Sequence, residues 1–179
     1  KARNLKKRVS SYFHKDHGVG NDDHSDGEIR WYGKGLFRRV EQVPSHLAYR
    51  ASDKMLFVAD TGNSRIALLD TTSGTATTDG RNPDNLVINK IMKDAVVTDF
   101  ISADSGVVKA PSGLLLKGEL LYVADNETGR IAAFNSKAER VNYLDTGITG
   151  SIGGMTFGPD NKLYFVDMKA NRVLRIDPK

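Results

Sequence analysis

Three of the chain's four histidines fall in one short stretch, HKDHGVGNDDHSDGE, between His14 and Glu28. His14, His17 and His24 alternate there with Asp16, Asp22, Asp23 and Asp26. That density of imidazole nitrogen and carboxylate oxygen suits zinc, copper or calcium. Asp22, His24, Asp26 and Gly27 imitate the opening of a calcium loop, although Gly33 stands where the closing bidentate glutamate belongs. Gly18, Gly20 and the aspartates set the stretch in a loop rather than on a helix face. Two readings follow, a flexible polar connector and a site for a divalent metal, zinc or calcium. In the second, Asp22 or Asp23 is the acid or base that moves a proton beside the ion.

The fourth histidine, His46, stands in PSHLA, and its meaning depends on what surrounds it. Three segments of the chain nearly coincide: LFVADTGNSRI from Leu56, LYVADNETGRI from Leu121 and LYFVDMKANRV from Leu163. In each, an apolar run ends in an aspartate (Asp60, Asp125, Asp167), and an arginine five positions on (Arg65, Arg130, Arg172) heads a second apolar run. Strand-forming residues on both sides of a polar link that holds Gly and Asn read as a β-hairpin. The aspartate can accept turn N–H groups and meet the guanidinium across the hairpin, which makes these residues structural rather than catalytic.

Each hairpin follows another strand signal, QVPSHLAY, VKAPSGLLL or SIGGMTF. Strands are therefore expected over 45–50, 54–60, 65–70, 112–116, 119–125, 130–135, 153–157, 162–167 and 172–176. The aspartates lie 65 and then 42 residues apart. Units of about 40 to 45 residues with four strands each are what propeller blades show. The fold class is all-β, with blades of four antiparallel strands over about 40–107, 108–148 and 149–179 and a basic, His/Asp-rich segment or linker over 1–36.

Pro, any residue, Gly, an apolar pair, then a strand ending in VAD and a turn into Arg-Ile is similar to the NHL repeat. The resemblance runs from about Phe37 to the C-terminus and implies a β-propeller, commonly six-bladed, with an extracytoplasmic, secreted or periplasmic, location. The third copy is looser, with Ile152 in place of the proline. Among NHL-like enzymes the chain also resembles the peptidylglycine amidating lyases, whose zinc-binding histidines sit in such turns in a PHS context. Here the order is PSH. His46 takes the place that Gly113 and Gly154 hold in the other two copies, and the resemblance puts it at the central channel with Ser112 as a second ligand-binding position.

The additional 23 residues between the first two repeats form an insertion. Asn82, Pro83 and Asp84 make a helix start, and Ile88, Ile91, Met92, Ala95 and Val96 recur at helical spacing, so a helix is expected over 82–94. Val96–Ile101 is then the outer strand that completes the first blade. Three blades fall short of the four to eight that close a ring, roughly speaking. With Lys1 first and no fourth strand after Arg172, the chain reads as a piece of a larger polypeptide, its ring completed by the remainder or by another chain.

Among the 179 residues cysteine is absent, which excludes disulfides and thiolate metal sites. Mean hydropathy is −0.41, and no apolar stretch approaches the roughly 20 residues of a membrane span. The net charge of +4 gathers at Lys1, Arg3, Lys6, Lys7 and Arg8. No interleaved aromatics accompany it, and no nucleic-acid partner is expected. Two functions remain: a propeller scaffold for a protein, peptide or carbohydrate ligand, and a metal-dependent propeller enzyme, lyase or lactonase-like, using His46 with His14, His17 and His24.

Overall fold

The structure, a computed structural model, describes residues 28–33, 35–77 and 88–177. They fall into two compact units, one drawn from the N-terminal part with 73–95 and the other from 35–72 and 96–177. In chain order the strands are β1 (Glu28–Trp31), β2 (Leu47–Arg50), β3 (Met55–Asp60), β4 (Arg65–Asp70), β5 (Thr75–Thr77), β6 (Ile88–Lys93) and β7 (Val97–Ile101). There follow β8 (Pro111–Lys117), β9 (Leu120–Asp125), β10 (Arg130–Phe134), β11 (Arg140–Asp145), β12 (Ile152–Phe157), β13 (Leu163–Asp167) and β14 (Arg172–Ile176).

The larger unit is all-β and built of propeller blades. Blade 1 has the order β2-β3-β4-β7, blade 2 the order β8-β9-β10-β11, and blade 3 the three strands β12-β13-β14. Every neighbouring pair in these sheets is antiparallel. The nine expected strands are present, and β7 completes blade 1 by pairing with β4, as the run from Val96 implies.

One backbone requirement recurs in the hairpins. The residue just before each arginine has a left-handed φ: Ser64 at 53°, Gly129 at 72° and Asn171 at 51°. A side chain at Gly129 would also collide with the Ile148 carbonyl oxygen, 2.8 Å from an ideal Cβ. The turn therefore demands small or Asn-like residues, which is why the polar links differ in sequence yet hold the same register.

Two apolar layers join the blades. Between blades 1 and 2, Phe57, Ala59, Ile66 and Ile101 meet Val108, Leu114, Leu121, Val123 and Phe134. Between blades 2 and 3, Ala124 and Ile131 meet Ile152, Met155, Leu163 and Phe165. Alternation along each strand supplies these layers, since residues two apart share a face. Phe57 is fully buried and meets Phe100 edge to face at 5.0 Å, which ties the outer strand to the same layer.

The smaller unit holds a correction. Ile88–Lys93 is strand β6 and not helix, running parallel to β1 and antiparallel to β5. Apolar residues at Ile88, Ile91 and Met92 satisfy either periodicity, and hydrogen bonds from strands on both edges decide for the extended form. The proposed helix start at 82–87 lies outside the described residues.

Phe57→Ala should cost about 3–5 kcal/mol, the usual loss for a buried aromatic that leaves a cavity. Leu47→Ala, at an exposed position on the same blade, should change stability by less than about 0.5 kcal/mol. Urea unfolding of the two variants checks the pair.

Candidate functional site at the inner edge of the blades

Each blade's first hairpin is organised by its strand-end aspartate. Asp60 accepts from the Arg38 amide at 2.8 Å, the Asn63 side chain at 2.8 Å and Arg65 Nε at 2.7 Å. Asp125 accepts from the amides of Lys109, Ala110 and Thr128 at 2.6, 3.3 and 3.1 Å. Asp167 accepts from the Ser151 hydroxyl, the Ala170 amide at 3.4 Å and Arg172 Nε at 2.9 Å. All three carboxylates are buried, which hydrogen bonding makes tolerable. The Ser151 hydroxyl, with help from Arg172, holds the Asp167 carboxyl below the usual carboxylate range despite burial.

The expected ion pair across the hairpin forms in blades 1 and 3 but not in blade 2. Arg130 stands opposite Asp125 in the ladder, yet its Nε donates to Asp145 on the outer strand at 3.3 Å. Asp125 takes the turn amide of Thr128 instead.

In blades 1 and 2 the residue after the aspartate reaches toward the next blade. Thr61 donates its hydroxyl to the Pro111 carbonyl at 2.7 Å, and the Asn126 amide group donates to the Ile152 carbonyl at 3.0 Å. Ser112 joins the second link: it is fully buried and donates to the same Ile152 oxygen at 2.8 Å. No feature of the sequence by itself marks Thr61 or Asn126 as a link between blades, because each partner lies in the following repeat.

His46 immediately precedes β2, the first strand of blade 1, and is half-buried. The pairings Leu47 with Val58, Leu114 with Val123 and Met155 with Phe165 place His46, Gly113 and Gly154 at one position of the repeat. A side chain at Gly113 would come within 2.7 Å of the Gly153 carbonyl oxygen, whereas nothing lies within 4 Å at Gly154. In blade 1 the imidazole fills this position and spans to blade 2. Its Nδ1 lies 2.9 Å from the Leu114 carbonyl oxygen and 3.2 Å from the Leu114 amide. With the proton on Nδ1 the ring donates to the carbonyl, and Nε2 carries the free lone pair.

His14, His17, His24, Asp22 and Asp23 lie outside the described residues. Among the described residues no group of three or more His, Asp or Glu gathers as a metal cluster. None of the helices there is long and apolar enough to cross a membrane.

No family model matches the chain, and no curated protein sequence matches it either. Among solved structures it is similar to selenomethionine-substituted virginiamycin B lyase from Staphylococcus aureus, at 13% identity and a TM-score of 0.37. The match covers 78% of this chain, which spans 57% of the length of that lyase.

Because folding lowers the Asp167 pKa, this carboxylate adds stability above its unfolded value of about 3.9 and loses it as pH falls through the lower folded value. Asp167→Asn should therefore flatten the fall in urea midpoint between about pH 5 and pH 2 relative to the parent. Asp125→Ala should lower stability by about 1–3 kcal/mol, the loss for buried amides left without an acceptor.

Proposed function

We propose that the chain is an NHL-like β-propeller scaffold that binds a protein, peptide or carbohydrate, and that its three blades belong to a larger ring completed by the remainder of a longer polypeptide or by another chain. One observation carries this reading. In blades 1 and 2 an outer strand covers the third strand, pairing Ile66 with Ile101 and Ile131 with Leu144. In blade 3 the outer edge of β14 pairs with no strand among the described residues. Beside it runs an apolar groove lined by Tyr122, Val141, Leu144, Phe157, Leu163 and Ile176. A bare strand edge next to apolar surface is the feature that soluble proteins cover. An extended segment that adds to β14 would satisfy both the edge and the groove. The end blades support the same reading, with Tyr49 52% exposed on one and Val173 66% exposed on the other.

His46 favours a second reading, a metal-dependent propeller enzyme of lyase or lactonase type. A histidine ligand is oriented by the hydrogen bond of its other nitrogen. His46 fits that requirement: Nδ1 is held by the main chain of blade 2, and among the described residues nothing bonds Nε2. In this reading His46 would be one ligand of a zinc or calcium ion. A bound ion would polarise a substrate carbonyl or hydroxyl.

Light scattering on residues 1–179 should report a mass above that of the monomer. Val173→Lys, which puts a charge on the open face of blade 3, should shift the population toward monomer. A monodisperse monomer with a sharp, reversible melt contradicts the incomplete-ring reading. His46→Gly should preserve folding, because it restores the residue of the other two blades. Stoichiometric zinc in the parent that is lost in this variant supports the enzyme reading, and unchanged metal content leaves the scaffold reading in possession.

A further inference from the structure

Arg130 is the one hairpin arginine that leaves its aspartate, and where it goes forms a recess on blade 2. The recess, about 110 Å³, is lined by Val107, Lys109, Thr128, Arg130, Arg140 and Tyr143. Two guanidinium groups meet one ring there: Arg140 lies 4.9 Å and Arg130 5.6 Å from the centre of Tyr143. Lys109, on the connection that enters β8, lines the same wall.

Comparison with blade 1 shows what this arrangement leaves open. Arg65, at the equivalent position, donates to Asp60, to Asp99 and to the Leu36 carbonyl, so each of its three nitrogens has an acceptor. Arg130 spends only Nε, on Asp145. Arg140 has no carboxylate partner among the described residues, only the ring face. Two carboxylates bear on the recess: Asp125 lines it, and Asp145 holds Arg130. Asp125 is buried and committed to three amides, and Asp145 is held by the Gly147 amide as well as by Arg130. Three cations against two occupied carboxylates leave an excess of positive charge. The outer nitrogens of two planar forks remain available above an aromatic ring.

We infer that this recess binds a tetrahedral oxyanion, a phosphate or sulfate group, through the free guanidinium nitrogens of Arg130 and Arg140 with the Lys109 ammonium. Planar N–H forks match the oxygen spacing of such groups, and stacking on Tyr143 fixes their orientation before a ligand arrives. The volume, several times the roughly 30 Å³ share of one liquid water, admits the anion but not a large body. A phosphorylated or sulfated ligand would enter with its anionic group and leave the rest outside. The site stands apart from His46 and does not depend on either reading of that residue.

The direct test is a titration of the full chain with inorganic phosphate, followed on the arginine Nε–Hε resonances by NMR. Arg130 and Arg140 should shift to saturation while Arg65 and Arg172 stay in place. Arg140→Gln should weaken phosphate about tenfold, the loss expected for one charge-assisted contact. Tyr143→Phe should bind like the parent, since it keeps the ring face; the same spectra verify that both variants are folded. Sulfate should compete with phosphate and acetate should not. Glucose 6-phosphate and O-phosphoserine then separate a sugar source from a peptide source. A drift shared by all four arginines, unchanged affinity in Arg140→Gln, or equal competition by acetate would overturn the assignment.

Discussion

The buried aspartate at the end of each blade's second strand is the constraint on which the rest depends. A carboxylate taken out of water must find donors, and here they come from three directions: the turn that follows, the segment that leads into the blade, and an arginine where one is in reach. In blade 2 the amides of Lys109 and Ala110 bring the connection from blade 1 down onto the hairpin. The Arg38 amide does the same for blade 1, and the Ser151 hydroxyl for blade 3. With the chain thus pinned, the following residue is aimed at the next blade, where Thr61 and Asn126 find main-chain carbonyls. Burial of the apolar layers supplies most of the stabilisation, but polar bonds of this kind set which faces meet and in what register.

Once that frame is fixed, departures from it become informative. His46 replaces a glycine and turns a simple turn into a link across two blades, with one nitrogen held and the other free. Arg130 leaves the pair its sister residues keep, and a recess with cationic walls results. Each is a single change against two internal references, so the repeat itself serves as the control. In blade 3, by contrast, the outer edge of β14 pairs with no strand among the described residues.

The strands were legible in the sequence because blade hairpins depend on local rules. Period-two burial, a left-handed turn position and a terminal carboxylate all lie within about 20 residues of one another. Elements set by distant partners were not legible. Ile88, Ile91 and Met92 fit a helix as well as a strand, and the choice fell to pairing with β5 on one edge and, on the other, with β1, far away in the chain. The rearrangement at Arg130 could not be read either, because the aspartate and the arginine five positions on are the same in all three hairpins. Arg65 keeps Asp60 while also reaching Asp99 on its outer strand, whereas Arg130 gives its Nε to Asp145 and lies over the Tyr143 ring. The bond from the Ser112 hydroxyl to the Ile152 carbonyl likewise spans 40 residues.

Hydrogen exchange of individual amides in the parent and in Asp125→Ala tests the central role of the aspartate most directly. The Lys109, Ala110 and Thr128 amides should exchange slowly in the parent and lose protection together in the variant. The Asn126 amide, bonded to the Ala110 carbonyl, should follow them. Amides in the middle of β9 and β10 should keep most of theirs. Fast exchange of Lys109 and Ala110 in the parent, or protection unaltered by the substitution, would contradict it.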